Sequence, residues 1–203
     1  MREYWDVYDA KGNKLEGRRS VRGRHDLGFN EYHLVVYVWI INNKNEIIVS
    51  KRQKGRTFED SWECTGGCAL SGDTSLSAAL REVKEELGLA LDSSKGELFR
   101  RYLRNYPPGA KAICDVWVFR QNFTADQFKL QIEEVSEARI VTVSELKELM
   151  SEEEIRTRYP YFDKLIEKYY RIYFTKESDY FITAFWLSKI HVLTVGKRLC
   201  HML

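Results

Sequence analysis

An α/β fold is what this sequence predicts, and three observations predict it. Residues His33–Ile41 form an unbroken apolar, largely β-branched run of the kind that fills a strand buried on both faces. Residues Thr74–Leu87 repeat their apolar positions at helical spacing and are followed at once by Gly88. Further strand-like runs, Ala112–Phe119 and Ala138–Val143, come after that helix, so strands and helices interleave along the chain. The 203 residues suit one domain over residues 1–150, with a C-terminal helical extension over residues 151–203 packed on it.

Taken in order, Tyr4–Asp9, a turn at Lys11-Gly12-Asn13 and a return run from Lys14 predict a small N-terminal β-hairpin. Arg18–Asn30 is polar and basic and reads as a loop feeding the strand at His33. Asn42–Asn45 turns the chain into a second strand, Glu46–Ser50, which is followed by a basic loop, Lys51–Arg56. A Gly66-Gly67 turn precedes the helix, and Gly88 ends it because glycine takes the left-handed cap conformation without a Cβ penalty. Ser144 is placed to cap a helix at Glu145–Met150, and Glu152–Leu203 is helix-like, with Tyr161, Phe162, Tyr169 and Tyr170 along it.

With 44% hydrophobic and 31% charged residues, the chain has the balance of a globular protein and little room for disorder. A formal charge of +2 is far from the basic stripe that binding to a nucleic-acid backbone requires. Cys64, Cys68, Cys114 and Cys200 form neither a zinc site nor a disulfide framework and read as reduced thiols. The N-terminus has no apolar leader, and Ile182–Val195 is too short to cross a membrane and is broken by Lys189 and His191. These features predict a cytoplasmic protein acting on a small molecule.

The chemistry is concentrated in Arg81-Glu82-Val83-Lys84-Glu85-Glu86-Leu87. Glutamates at 82, 85 and 86 stand at i, i+3 and i+4, so a helix places all three carboxylates on one side, while Leu76, Leu80, Val83 and Leu87 form a separate apolar stripe. Like charges at this spacing repel unless a cation sits among them, and hard oxygen ligands suit Mg²⁺ or Mn²⁺. The competing reading is a solvated acidic face with an Arg81–Glu85 ion pair.

The spacing around these residues decides between the two. The stretch from Gly67 to Leu89 resembles the Nudix box, G-x5-E-x7-R-E-U-x-E-E-x-G-U with U aliphatic, matching at Gly67, Arg81, Glu82, Val83, Glu85, Glu86, Gly88 and Leu89, eight of nine specified positions. The resemblance implies an α/β/α sandwich with a mixed sheet and hydrolysis of a diphosphate linkage in a nucleoside diphosphate derivative or similar small molecule. It further implies that the carbonyl of Gly67 and the carboxylates of Glu82, Glu85 and Glu86 hold divalent cations, with Mg²⁺ expected and Mn²⁺ able to replace it. Water then attacks phosphorus, Arg81 orients the glutamates, and Glu82 or Glu86 takes the proton. Glu133 or Glu134 stands where family members often place another acid. Asp73 replaces the first glutamate of the box; it either reaches the metal through water or serves as the N-cap of a helix starting at Thr74.

Outside the box, Lys51, Arg52 and Arg56 are candidates for substrate phosphates because guanidinium groups offer paired donors to them. Trp62, Tyr37 and Trp117 are candidates for stacking on a base, with core packing as the alternative. The hairpin, the Arg22–His33 loop and Trp62–Gly67 resemble the Nudix branch that includes isopentenyl diphosphate isomerase. Gly66 stands where that enzyme has its cysteine, Cys68 where it has a metal-binding histidine, and Ala110 and Ala112 at its acidic positions, so the proton-transfer groups are missing. His25 and His33 echo its other ligands, with His33 read as a structural residue, and Cys64 is a thiol displaced by two positions. The third reading, a non-catalytic binding module, is opposed by the intact Arg81, Glu82, Glu85 and Glu86. The C-terminal region, including Trp186 and Ile190–Val195, is a candidate homodimer surface, a pocket cover or a finishing piece of the core, and Gly196–Leu203 reads as a loose tail.

Overall fold

The structure is a computed structural model that describes residues 2–24, 26–106 and 110–170. The strands are β1 (Tyr4–Tyr8), β2 (Lys14–Val21), β3 (His33–Ile41), β4 (Ile47–Arg52), β5 (Trp62–Glu63), β6 (Thr65–Cys68), β7 (Gly96–Tyr106), β8 (Ala110–Arg120) and β9 (Val135–Val141). The α-helices are α1 (Ser75–Leu87), α2 (Val143–Leu149), α3 (Glu152–Arg158) and α4 (Phe162–Tyr170). His25, Trp186, Ile190–Val195, Gly196–Leu203 and Cys200 lie outside the described residues. The chain divides into two units, one to Ile155 and one from Arg156. In the second, α4 carries Phe162, Leu165 and Tyr169 at helical spacing, all buried. Among the described residues no helix is long and apolar enough to cross a membrane.

In the first unit β1 and β2 form the predicted antiparallel hairpin. The main sheet runs β5-β4-β3-β8-β7, with β6 also on β3 and β9 on β4. β3 and β8 are parallel and the other pairs antiparallel, so the sheet is mixed. One edge of β3 is divided: β6 pairs with Val35–Val38 and β4 joins at Ile41. This central position accounts for the unbroken apolar run of β3, in which every residue but Tyr37 is buried. On one face, Leu34, Val36, Val38 and Ile40 of β3 meet Ala78, Ala79, Val83 and Leu87 of α1, with Leu76 and Leu80 at the rim. Full burial of Val83 and of Leu87 stabilises the fold by roughly 1.5–3 kcal/mol each.

Four local expectations are corrected, and one strand that was not anticipated is added. β2 runs to Val21, so Arg18–Val21 belong to the hairpin and the loop starts after them. β4 continues to Arg52, because β9 and β5 both pair with its end, so Lys51 and Arg52 belong to a strand and only residues 53–61 form the loop. Gly66-Gly67 is no turn but part of β6, hydrogen-bonded to β3 opposite Tyr37 and Val36. β7, rich in arginine and hence silent in a search for apolar strands, lies at the sheet's end and among the described residues pairs with β8 alone. The α2 cap is Thr142, whose hydroxyl accepts from the Glu145 N–H at 3.2 Å while the Glu145 carboxylate accepts from the Thr142 N–H at 2.7 Å; Ser144 lies inside the helix.

Candidate active site

α1 begins at Ser75 under a reciprocal cap, with the Thr74 hydroxyl accepting from Ser77 N–H at 3.0 Å and Ser77 Oγ accepting from Thr74 N–H at 2.9 Å. It ends, as predicted, at Gly88 with φ 72°, whose N–H donates to the Lys84 carbonyl at 3.1 Å. Asp73 is therefore not the N-cap. Its Oδ2 accepts from Leu70 N–H at 3.0 Å and from Arg81 Nε and Nη2 at 3.2 and 3.0 Å.

Arg81 gathers this region. Besides Asp73, its guanidinium meets Glu82 at 3.0 Å and Glu85 at 2.8 Å and donates to the Cys68 carbonyl at 3.0 Å. Burial opposes its charge, but Glu82, Asp73 and Glu85 more than offset that and raise its pKa above the ordinary arginine value. Glu85 is half exposed, at 50%, and held by Arg81, so the three box glutamates do not converge as expected. Among the described residues no three His, Cys, Asp or Glu side chains are grouped in a geometry that could hold a metal ion. Glu82 and Glu86 instead turn inward, at 12% and 4% exposure.

Glu86 has the most unusual surroundings. Burial drives its pKa well above the ordinary value, and the charges of Glu82, Glu63 and Glu134 push it further; a hydrogen bond from the Gly66 N–H opposes them. Burial likewise raises Glu82 to about 7, opposed by Arg81 and reinforced by Glu85 and Glu134. The neighbouring acids each have an arginine: Arg52 donates to Glu63 at 2.7 Å, Arg56 is bonded to Glu134, and Arg81 serves Asp73, Glu82 and Glu85. Among the described residues Glu86 has no such cation. A fully buried carboxylate beside three others is costly unless a cation joins it or it takes up a proton.

The backbone next to these acids makes room for the Glu82 carboxylate. A Cβ built on Gly67 would lie 2.5 Å from the carboxyl carbon of Glu82, so only glycine leaves space between this strand and that side chain. The side chains present suit a divalent cation in kind: the carboxylates of Glu82 and Glu86 are hard oxygen donors, Glu85 becomes available once released by Arg81, and Gly67 lies against Glu82 in the strand paired with β3.

Other expectations sort as follows. Of Glu133 and Glu134, Glu134 bears on Glu82 and Glu86, while Glu133 is exposed and lends its carbonyl to Arg56 at 3.2 Å. Arg52 and Arg56 are engaged by Glu63 and Glu134, and Lys51 by Asp60 at 3.3 Å, so a phosphate would have to compete for them. Trp62 is buried beneath Arg139, and Trp117 packs on the core while donating to Ser75 Oγ at 2.9 Å; neither is a free stacking surface. Tyr37 is partly exposed, with the Arg104 guanidinium over its ring. His33 is buried and stacked on Trp5 at 4.4 Å, and burial, aided by Arg104, lowers its pKa to about 4, in keeping with a structural role. Glu63 was not singled out by sequence reasoning; its only signal was its place in the Trp62–Gly67 stretch, because the Ser50–Glu63 pairing that delivers it is long-range.

A pH dependence of stability follows for the metal-free protein. An exposed glutamate has its ordinary value of 4.5, whereas folding holds Glu82 protonated up to about 7 and Glu86 above its ordinary value. The folded chain therefore binds more protons between these limits, so this contribution is fully present below pH 4.5 and is lost as pH rises through 7. Urea unfolding in chelator is expected to show a decline on the order of 3 kcal/mol from pH 5 to 8. Stability that rises across that window would contradict the burial of these acids.

With fold and site in view, the comparisons agree on a class and then a family. The structure of DR0079 from Deinococcus radiodurans superimposes with a TM-score of 0.59 at 18% identity, covering 75% of this chain and 91% of that one, which is a likeness of fold. The NUDIX domain model matches residues 31–163, and an uncharacterized Nudix hydrolase of Listeria monocytogenes is 36% identical over 162 residues, 79% of this chain and 90% of its own length. The chain belongs to the Nudix family, and its enzyme class is that of a Nudix pyrophosphohydrolase. The NUDIX domain of Shewanella oneidensis NrtR, solved with ADP ribose, shares the fold at a TM-score of 0.53 and 13% identity, covering 66% of this chain and 88% of that one.

Proposed function

We propose that this protein hydrolyses the diphosphate linkage of a nucleoside diphosphate derivative, with Mg²⁺ at Glu82, Glu86 and the Gly67 carbonyl and with Mn²⁺ able to replace it. The observation that carries the reading is Glu86, 4% exposed, surrounded by Glu82, Glu63 and Glu134 and lacking a cationic partner among the described residues. When bound, the divalent cation neutralises charge on the phosphoryl oxygens and lowers the pKa of water. Glu82 and Glu86 position it, and one of them accepts the proton lost by the attacking water. Arg81 holds Glu82 and Asp73 in place and acts through them. Arg52 and Arg56, exchanging Glu63 and Glu134 for substrate, supply donors to the phosphates.

The isomerase alternative lacks support, because burial raises the Cys68 thiol to about 11 and Gly66 and Ala112 offer no proton-transfer group. The test is product release in Mg²⁺ across ADP-ribose, nucleotide sugars, dinucleoside polyphosphates and isopentenyl diphosphate. Metal-dependent cleavage of a nucleoside diphosphate derivative is expected. A chain that binds the metal yet cleaves none of them would be a binding module, and isomerisation of isopentenyl diphosphate would also overturn the proposal.

A further inference from the structure

The N-terminal hairpin carries a buried charge that is shared between the hairpin, through Lys14 and Arg19, and the loop before α1, through Ser71 and Gly72. Asp6 of β1 is 3% exposed. Its carboxylate accepts from Ser71 Oγ at 2.8 Å and from Gly72 N–H at 2.9 Å, and is balanced by Lys14 of β2 at 2.7 Å. Beside it, the Tyr4 carbonyl accepts from Ser71 N–H at 2.7 Å. Three hydrogen bonds thus draw the loop before α1 onto the hairpin. The next residue of that loop is Asp73, which meets Arg81, which in turn meets Glu82 and Glu85.

This arrangement bears on the one position where the box departs from its pattern. An aspartate is shorter than a glutamate by one methylene, roughly 1.5 Å. To reach a guanidinium anchored on α1, its backbone must come closer, and the grip on Ser71 and Gly72 holds it there. A purely local role for Asp6 would be met by Lys14 and would not involve residues 65 and 66 positions away.

We infer that Asp6 is a positioning residue for the candidate cation site, holding the Ser71–Asp73 loop so that the short Asp73 side chain keeps Arg81 and hence Glu82 in register. This rests on the reading of Glu82 and Glu86 as cation ligands. Supporting groups of this kind typically change metal affinity or activity about 10- to 100-fold when removed.

The experiment titrates Mn²⁺ into the metal-free full chain by calorimetry and, separately, measures kcat and KM on the best substrate from the panel. Asp6→Asn, which keeps shape and removes charge, is expected to weaken Mn²⁺ binding and lower kcat about 10- to 100-fold, with KM little changed. Adding Asp73→Glu to Asp6→Asn is expected to recover most of that loss, since the longer acid spans a loosened loop. A general loss of stability would not be rescued at that position. Should Asp6→Asn fold poorly, Ser71→Ala removes one of the three bonds without touching the buried charge and is expected to give a smaller loss in the same sense. Wild-type affinity in Asp6→Asn or Ser71→Ala, or no recovery in the double variant, overturns the inference alone. No Mn²⁺ binding by the wild type overturns the site reading with it.

Discussion

Replacing Glu86 with glutamine is expected to lower diphosphate hydrolysis by on the order of 10²- to 10³-fold and, in the same protein, to raise the melting temperature measured in chelator. The two effects have one cause. At neutral pH the folded metal-free chain either confines a fourth negative charge beside Glu82, Glu63 and Glu134 or protonates it, and both options cost free energy. Glutamine keeps the shape and can still accept from the Gly66 N–H, but carries no charge to repel its neighbours. In a domain of this size each kcal/mol gained moves the melting temperature by about 2–4 °C. On the proposed function the same carboxylate is an anionic ligand of the cation, so added Mg²⁺ should stabilise the wild type strongly and the variant weakly. Full hydrolytic activity in Glu86→Gln would remove this residue from the mechanism. An unchanged or lower melting temperature in chelator would mean that the acids are not crowded as described.

The second large effect separates two adjacent glycines. Gly66 and Gly67 project to opposite sides of β6, so alanine at each meets a different obstacle. At Gly66 a Cβ would overlap the carbonyl oxygen of Val36, a backbone atom of β3, which is paired on both sides and cannot retreat. Gly66→Ala is expected to cost about 3 kcal/mol in urea unfolding. At Gly67 the atoms nearest the Cβ are those at the end of the Glu82 side chain, which can swing away. Gly67→Ala should therefore fold with nearly unchanged stability while hydrolysis falls about 100-fold, because the displaced carboxylate is a proposed cation ligand. Equal stability losses at the two positions would contradict the strand geometry, and an active Gly67→Ala would contradict the role of Glu82.

The close packing against each glycine was not legible, although Gly67 was marked as the first residue of the box. The pair read as a turn, since Gly-Gly is a common turn signal and nothing local announces that β3 lies across from it. By contrast β3 was legible residue for residue, because burial on both faces leaves an unbroken apolar run. The α1 helix was legible to within one residue at its start, its end being marked by Gly88. Asp73 misled because aspartate is a good cap in general, while here Arg81 claimed its carboxylate and Thr74 took the cap. Helical spacing puts Glu85 beside Glu82 and Glu86, but the arc the three span is wide enough that Glu82 and Glu86 face the sheet while Glu85 faces water, a difference the spacing does not announce.

The sequence by itself determined the α/β class, the hairpin, the central strand and the helix with its box, because each is written in a local period or at a fixed spacing along the chain. Only the tertiary structure decided which acids meet. It chose Glu63 and Glu134 as neighbours of Glu86, set Glu133 and Glu85 toward solvent, committed Arg52 and Arg56 to acid partners, and brought Asp6 onto the loop before the helix. Those juxtapositions arise from strand register and from packing between residues tens of positions apart, and no local pattern in a chain encodes which distant side chain will arrive beside another.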